Sequence, residues 1–102
     1  MNNRNLTIIF VKGNRTDIIK QLKDITKYCF DNNLFIEDII ITSKADYTKS
    51  LFRLLSYIKP REKLTHLVAI SKDILIKNDD IENIFDDLAS EGKIKLHFVF
   101  NH

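Results

Sequence analysis

The chain has 102 residues, a formal charge of +2, 44% hydrophobic residues and one cysteine. This length predicts a single domain spanning residues 1–102, and no apolar run approaches the ~20 residues of a membrane-spanning helix. One cysteine excludes an internal disulfide, and no His or Cys cluster has metal-ligand spacing, so neither metal nor cofactor is expected. The N-terminus lacks the apolar stretch of a secretory signal, which favours a cytoplasmic protein without membrane contact.

Strand and helix patterns alternate from the start of the chain. Residues 6–11 are apolar and rich in β-branched side chains, which is typical of a buried strand. From residue 16 to about 31, apolar side chains recur at helical spacing, and Asn32-Asn33 is a plausible helix stop. The predicted apolar face holds Ile18, Leu22, Ile25 and Cys29, with Ile19 and Phe30 beside them. Cys29 is therefore expected to be a buried thiol and not a reactive one.

The second half of the chain continues the alternation. Three further strands are predicted at residues 35–42, 64–70 and 94–100. Residues 47–58 form a helix that ends before Pro60, and Asn78 caps a third helix that Gly92 closes. Between residues 79 and 91 this helix carries six carboxylates and no lysine or arginine, which indicates a solvated acidic face.

The resulting βαβαβαβ order predicts a three-layer α/β fold of the flavodoxin type. Its four parallel strands, in the order 2-1-3-4, would be covered by helices on both faces. Ligands of such sheets bind at the carboxyl ends of the strands. The polar residues expected at that edge are Lys12, Asn14, Arg15, Thr42, Ser43, Lys44, Lys49, Ser71, Lys72, Asp73, Lys77, Asn101 and His102.

Positive charge prevails at this edge, beside the N-terminus of the first helix, where an anion is favoured. The candidate phosphate-binding residues are Lys12, Arg15, Lys44, Lys49, Lys72 and Lys77. The simpler interpretation is that Asn14 and Thr16 cap the helix and that the lysines are only solvated. No glycine-rich phosphate loop supports the first interpretation, because Gly13 stands alone.

Four segments together resemble the catalytic domain of serine recombinases of the resolvase/invertase family. Residues 9–14 resemble the end of that family's first strand, where a tyrosine-x-arginine-x-serine pattern carries the nucleophile, and Gln21-Leu22 follow in the helix. Residues 48–58 resemble its second helix, and residues 68–77 its third strand with the aspartate-arginine-leucine-x-arginine loop. Residues 88–96 resemble the approach to its fourth strand. The resemblance covers nearly the whole chain and implies the same fold.

Position by position, the resemblance also implies that the family's chemistry is lost. Those enzymes attack a DNA phosphate with the serine hydroxyl, and arginines neutralise the developing charge. Asn14 stands at the serine position, and a carboxamide cannot serve as the nucleophile. Asp73 is retained, whereas the arginine positions are filled by Lys12, Thr48, Ile74 and Lys77. Lysine lacks the bidentate fork of arginine, and Thr48 and Ile74 carry no charge, so we expect no enzymatic activity.

The family also continues beyond its fourth strand, into a long dimerising helix and usually a DNA-binding domain. This sequence ends soon after that strand. Together with the small net charge, this predicts weak DNA binding.

Three functions remain open. The first is a non-catalytic recombinase-like domain of a phage or other mobile element that binds a protein, such as a recombinase or another DNA-processing protein, with homodimerisation left open. The second is an enzyme using another hydroxyl, with Ser71, Ser43 and Thr16 as candidates. No histidine is visibly placed to activate these hydroxyls, because His66 and His97 lie inside predicted strands. The third is a small phosphate- or nucleic-acid-binding module that uses the basic edge.

Overall fold

The computed structural model describes residues 6–100. Within this range strands and helices alternate as the hydrophobic pattern predicts, with boundaries that shift by one or two residues. The elements are β1 (Leu6–Lys12), α1 (Arg15–Asp31), β2 (Phe35–Thr42), α2 (Tyr47–Ile58), β3 (Thr65–Ala69), α3 (Lys72–Leu75), α4 (Asp79–Ser90) and β4 (Ile94–Phe98).

The sheet has the predicted topology. Its four strands run in the order β2-β1-β3-β4, and every neighbouring pair is parallel. Chain connections between parallel strands are right-handed, so α1 lies on one face of the sheet while α2, α3 and α4 lie on the other. The three-layer α/β architecture is therefore confirmed.

Two hydrophobic cores lie on the two faces of the sheet. The larger core joins Ile8 and Phe10 of β1 to α2, α3 and α4, with Leu54, Leu75 and Phe85 fully buried. The smaller core joins alternate residues of the sheet to Ile25 and Cys29 of α1. The prediction that Cys29 is buried is thus confirmed. Burial of so many large apolar side chains, each stabilising by about 2 kcal/mol, fixes which strand ends meet.

The expectation that both faces of the sheet are covered is wrong at β2. Ile39 and Ile41 lie on the α1 face, since they pair with the core residues Ile9 and Val11, yet they are 38% and 58% exposed. Helix α1 on that face packs chiefly on β1 and leaves these two side chains of the edge strand partly exposed. Two apolar residues predicted beside the buried face of α1, Ile19 and Phe30, are likewise 58% and 84% exposed.

The helix ends follow local rules of side-chain chemistry. Asn33 adopts a left-handed conformation with φ of 56° just after α1, as the asparagine pair predicts. Asn78 caps α4 by accepting a hydrogen bond from the Ile81 N–H at 3.0 Å. The one-turn helix α3 was not predicted, because four residues are too short to show a periodicity. It forms where Leu75 is buried, with Ile74 beside it against the larger core.

Within residues 6–100, no helix combines the length and the apolar composition needed to cross a lipid bilayer.

Candidate functional site

The carboxyl ends of β1 and β3 are adjacent at the centre of the sheet. Strand order reverses between them, because β2 lies outside β1 and β4 lies outside β3. In open α/β sheets this is the point where loops diverge and leave a crevice for a ligand. Lys12 ends β1, and Ser71 follows β3, so the predicted site residues of these two loops are brought to one place. Asn101 and His102 lie outside the described residues.

The backbone of Lys12 is held by a side chain of α1. The Lys12 N–H donates to Gln21 Oε1 at 3.2 Å, and Gln21 Nε2 donates to the Lys12 carbonyl at 2.7 Å. Gln21 is 7% exposed, and it is the polar residue on the buried face of α1. The two hydrogen bonds of its side-chain amide fix the backbone at the end of β1. They therefore fix the direction in which the Lys12 side chain leaves the sheet.

Two lysines converge on one buried tyrosine. The Nζ of Lys12 lies 5.0 Å from the centre of the Tyr47 ring, and the Nζ of Lys77 lies 4.5 Å from it. Both distances are within the range of cation–π attraction. Tyr47 begins α2, is 1% exposed, and donates its hydroxyl to the Leu75 carbonyl of α3. The ring therefore acts as a rigid platform for both ammonium groups.

Electrostatics at this cluster favour an anion. Burial lowers the pKa of Lys12, the neighbouring Lys77 and Lys44 charges lower it further, and Asp73 opposes them. A lysine whose pKa is lowered by other lysines lies in a positive potential, which a bound anion would relieve. Burial also raises the pKa of the Tyr47 hydroxyl, so this group stays neutral beside the two cations. Lys12, Lys44 and Lys77 of the predicted phosphate-binding set are thus brought together.

Asn14 is committed to the start of α1. Its Oδ1 accepts a hydrogen bond from the Asp17 N–H at 2.9 Å, and Asp17 Oδ2 accepts one from the Asn14 N–H at 3.3 Å. This reciprocal capping box satisfies backbone donors that the helix leaves over. The predicted capping role of Asn14 is confirmed, whereas Thr16 lies exposed within the first turn of the helix.

Gly13 makes the approach to this cap possible. Its φ is +144°, and its N–H donates to the Thr42 carbonyl of β2 at 3.1 Å. A Cβ at this position would stand 2.8 Å from the Cβ of Asp17. The glycine between Lys12 and Asn14 is therefore required by backbone geometry, without any need for a phosphate loop.

The other three residues of the recombinase-like pattern, Asp73, Ile74 and Thr48, do not join the two lysines at the Tyr47 ring. Asp73 is exposed and accepts a hydrogen bond from Ser71 Oγ at 2.5 Å. Ile74 is half-buried and packs against the larger core, so it supports α3 and cannot reach a ligand as an arginine would. Thr48 is exposed in the first turn of α2.

The other predicted cations do not share one location. The Nζ of Lys72 forms an ion pair with the Glu82 carboxylate, which ties this side chain to α4. That pairing raises the pKa of Lys72. Arg15 and Lys49 are exposed at the starts of α1 and α2. The ion pair with Glu82 therefore directs Lys72 away from the predicted phosphate-binding set.

The candidate hydroxyl nucleophiles have carboxylate neighbours that sequence reasoning did not identify. Besides the Ser71–Asp73 bond, Ser43 Oγ donates to Asp46 Oδ2 at 3.2 Å. Ser71 and Asp73 also line an open depression of about 450 Å³ with Lys72 and Ile76. A carboxylate two or three residues away on the same loop is the usual arrangement of a local turn, so these bonds order the loops.

His66 and His97 are engaged elsewhere. Tyr28 Oη lies 2.9 Å from His97 Nδ1, and His97 Nε2 lies 2.8 Å from His66 Nδ1. This chain joins α1 to β3 and β4 on the α1 face. Sequence reasoning missed it, although the positions of His66 and His97 in adjacent strands could have indicated a shared face.

No group of three or more His, Cys, Asp or Glu side chains suited to a metal ion occurs between residues 6 and 100. The arrangement at the strand ends is instead a cation cluster over an aromatic ring, next to a capped helix. Such a site can attract an anion.

No protein-family model and no curated protein matches the sequence. Among solved structures, the chain is similar to the crystal structure of the C-terminal catalytic domain of ISC1926 TnpA, an IS607-like serine recombinase, with a TM-score of 0.75. The two sequences are 19% identical, and the match covers 93% of this chain and 70% of that chain. This chain has the fold of a serine recombinase catalytic domain. The resemblance predicted from residues 9–14 and the later segments is therefore confirmed for the fold.

On the serine recombinase fold, Lys12 at the end of β1 and Lys77 after α3 form the cation cluster described above. Lys12 and Lys77 occupy two of the four positions that the resemblance assigns to arginine, and these two meet over Tyr47. The resemblance places Thr48 and Ile74 at the other two arginine positions. Thr48 lies at the start of α2, and Ile74 packs against the larger core.

Proposed function

We propose that this domain is a pseudoenzyme on the serine recombinase fold that acts by binding a protein partner. The observation that carries this proposal is the capping role of Asn14. Its side chain stabilises α1 at the position where the resemblance places the nucleophilic serine. The amide cannot form a phosphoester and already has a structural task, so selection for cleavage does not explain it.

Loss of the arginine set supports the same proposal. Phosphoryl transfer depends on cations placed around the transferring group, and each missing donor costs a large share of the rate. Ile74 has no donor, and Lys12 and Lys77 supply point charges without the planar fork of arginine. Restoring only the hydroxyl would therefore leave the charge on the phosphate poorly neutralised.

A covalent trapping experiment tests the absence of cleavage. The protein is incubated with nicked and intact duplex DNA, and covalent adducts are resolved on denaturing gels. We expect none with the wild type, and none with Asn14→Ser, which keeps the cap and restores a hydroxyl. A DNA–protein adduct formed by the wild type would refute the proposal. If that adduct were lost when Ser71, Ser43 and Thr16 are replaced together, one of these three hydroxyls would be the nucleophile.

The partner surface that we propose is the acidic side of α4. Asp79, Asp80, Asp86 and Asp87 are exposed there. A surface of one charge sign attracts and orients a partner of the opposite sign. The partner is a recombinase or another DNA-processing protein of a phage or mobile element, which would present basic residues to this helix.

Charge reversal on α4 tests this surface. The variant Asp86→Lys with Asp87→Lys is compared with Asp24→Lys and Glu62→Lys, which makes the same change of charge on other exposed positions. Affinity purification from the native host, followed by mass spectrometry, identifies the partner. We expect capture to be lost in the α4 variant and retained in the control variant. Equal capture by both variants would contradict the role of α4.

A second function, binding of a DNA backbone phosphate, is favoured by the cation cluster at Tyr47. Lys12 and Lys77 are held by the same ring, and Lys44 adds to the positive potential. Backbone binding is electrostatic, so its affinity would fall with rising salt. Lys12→Ala with Lys77→Ala should weaken DNA binding and flatten the salt dependence by about one unit of slope for each lost contact.

The matched control for this second function is Lys20→Ala with Lys23→Ala, on the exposed side of α1. It removes the same charge from the molecule but leaves the cluster intact. DNA affinity that is undetectable at low salt, or that falls equally in both variants, would show that the lysines at the strand ends serve only solubility.

A further inference from the structure

The outer edge of β2 is a surface without a structural task in this fold. β2 pairs with β1 on one side, and its other side has no neighbouring strand within residues 6–100. Natural edge strands are usually protected by charges, prolines, bulges or shortness, because their backbone groups can pair with another chain. The eight-residue β2 is protected in one half only.

The protected half is the N-terminal one. The register between β1 and β2 shifts at Thr7 and Ile8, and Glu37 of β2 is bound to Arg61 at 2.8 Å. The C-terminal half, residues 39–42, contains no charged residue, no proline and no register shift. Its exposed isoleucines, Ile39 and Ile41, both lie on the α1 face.

The backbone of this half is oriented for pairing. The Thr42 carbonyl accepts the Gly13 N–H, so the peptide groups of Thr42 face β1. Peptide groups alternate direction along a strand, and those of Ile39 and Ile41 therefore face outward. The Ile39 N–H donates to Asp38 Oδ1 at 2.8 Å, so a partner strand would have to displace this carboxylate. In an antiparallel pair with a second β2, Ile39 of one strand would lie opposite Ile41 of the other. Residues paired in this way exchange backbone hydrogen bonds.

We propose that β2 pairs antiparallel with β2 of a second copy of this chain, across a two-fold axis at Ile40. The sheets of the two copies then form one continuous sheet. Ile39 of each copy lies opposite Ile41 of the other, so the Ile41 N–H donates to the Ile39 carbonyl of the second copy. The Ile39 N–H exchanges its bond to Asp38 for one to the Ile41 carbonyl of the second copy. The same pairing gathers the four isoleucines into one apolar cluster on the α1 face. A two-fold axis is the commonest symmetry of soluble oligomers, and it uses the same surface twice.

Charge along the strand selects this orientation. Asp38 lies near the N-terminal end of the pairing segment, beside Glu37, whose charge Arg61 already neutralises, and Lys44 follows the C-terminal end. Antiparallel pairing brings the acidic end of each copy next to Lys44 of the other, whereas parallel pairing would align like charges. The strand is thus complementary to itself in one direction only.

Helix α1 extends the apolar surface beside this edge. Asp24, Tyr28 and Asp31 line a depression with Val99, which places that flank of α1 toward β4. Ile19 and Phe30 are three helical turns apart on the opposite flank, toward β2, and both are exposed. In the proposed dimer the second copy would remove part of their surface from water.

Analytical ultracentrifugation tests the association. The wild type is expected to show a concentration-dependent mass approaching twice the 12.0 kDa of the chain. Ile41→Lys places a charge in the apolar cluster and should weaken association by about tenfold or more. Phe52→Lys is the matched control, because Phe52 is 63% exposed on α2, on the other face of the sheet, and should dimerise as the wild type does. Circular dichroism verifies that each variant is folded.

Cysteine crosslinking tests the register. Chains carrying Ile39→Cys are mixed with chains carrying Ile41→Cys under mild oxidation, and each is also oxidised alone. A disulfide-linked dimer that forms in the mixture far more than in either single sample is the expected result. A strictly monomeric wild type, unchanged dimerisation of Ile41→Lys, or preferential crosslinking of one variant with itself would overturn the proposal.

Discussion

The side-chain amide of Gln21 brackets the backbone of Lys12. Its oxygen accepts from the Lys12 N–H at 3.2 Å, and its nitrogen donates to the Lys12 carbonyl at 2.7 Å. The two residues are nine positions apart and belong to different layers of the fold. This amide therefore couples the packing of α1 to the position of the cation cluster at the end of β1.

Replacing Gln21 by leucine should destabilise the protein by about 1–3 kcal/mol, because it leaves two backbone groups of Lys12 without their partner. Gln21→Glu keeps the acceptor but loses the donor, and it places a buried carboxylate oxygen against the Lys12 carbonyl, so its cost should be no smaller than that of leucine. Urea denaturation measures both. A stability equal to that of the wild type in Gln21→Leu would mean that water or a shifted backbone satisfies these groups.

Gly13→Ala should destabilise the protein by about 2–3 kcal/mol, because alanine is strained at this backbone conformation and lacks space for its Cβ. The φ of +144° and the 2.8 Å approach to the Cβ of Asp17 are the two causes.

Gly92→Ala provides the matched comparison. Gly92 also has a positive φ, of 75°, but a Cβ there would meet nothing within 4 Å. Its replacement should cost only about 1 kcal/mol from the left-handed backbone. Equal losses in thermal denaturation of the two variants would show that the contact with Asp17 does not matter.

The sequence predicted the order of elements because each helix and strand carries its own periodicity. The 3.6-residue spacing of Ile18, Leu22, Ile25 and Cys29 and the apolar run of β1 report burial directly, and βαβ handedness then limits the sheet to few topologies. The uncovered face of β2 could not be predicted in this way. An exposed isoleucine and a buried one have the same hydropathy, and only the number of helices on each face distinguishes them.

The candidate site was predicted in part for a similar reason. Loops that follow parallel strands meet at one edge, so Lys12 and Lys77 could be placed near each other. That both lysines meet over Tyr47, while Lys72 pairs with Glu82, depends on side-chain contacts between different elements of the fold. Nothing in the spacing of these residues encodes those contacts.

Phe85→Ala should cost about 3–5 kcal/mol, because Phe85 is fully buried where α4 packs on the sheet and its loss leaves a cavity. Ile84 precedes it on the same helix and is 37% exposed, so Ile84→Ala should cost about 1 kcal/mol or less. Chemical denaturation of the two variants checks the difference. Similar losses would mean that α4 packs through a different face.

The Tyr28–His97–His66 chain makes stability depend on pH. Burial lowers the pKa of His97 from 6.5 to about 4, and the neighbouring His66 and Lys95 charges add to the shift. Burial also lowers the pKa of His66. With His97 neutral, one tautomer lets Tyr28 donate to its Nδ1 while its Nε2–H donates to His66 Nδ1, and the other tautomer reverses both bonds. Protonation of both rings would place two charges 2.8 Å apart at their facing nitrogens.

The unfolded chain binds protons at His97 below the ordinary pKa of 6.5, whereas the folded chain binds them only near 4. Unfolding therefore takes up protons between these values, and the contribution of His97 to stability is complete above 6.5 and is lost progressively as the pH falls toward 4. Urea denaturation from about pH 7 to about pH 5 should show a falling free energy of unfolding in the wild type, and a shallower fall in His97→Phe, which removes the titrating ring. NMR titration of the imidazole resonances measures the folded pKa directly. A His97 signal that titrates near 6.5, or an identical pH slope in His97→Phe, would contradict the coupling, because a solvated histidine binds its proton equally in the folded and unfolded chains.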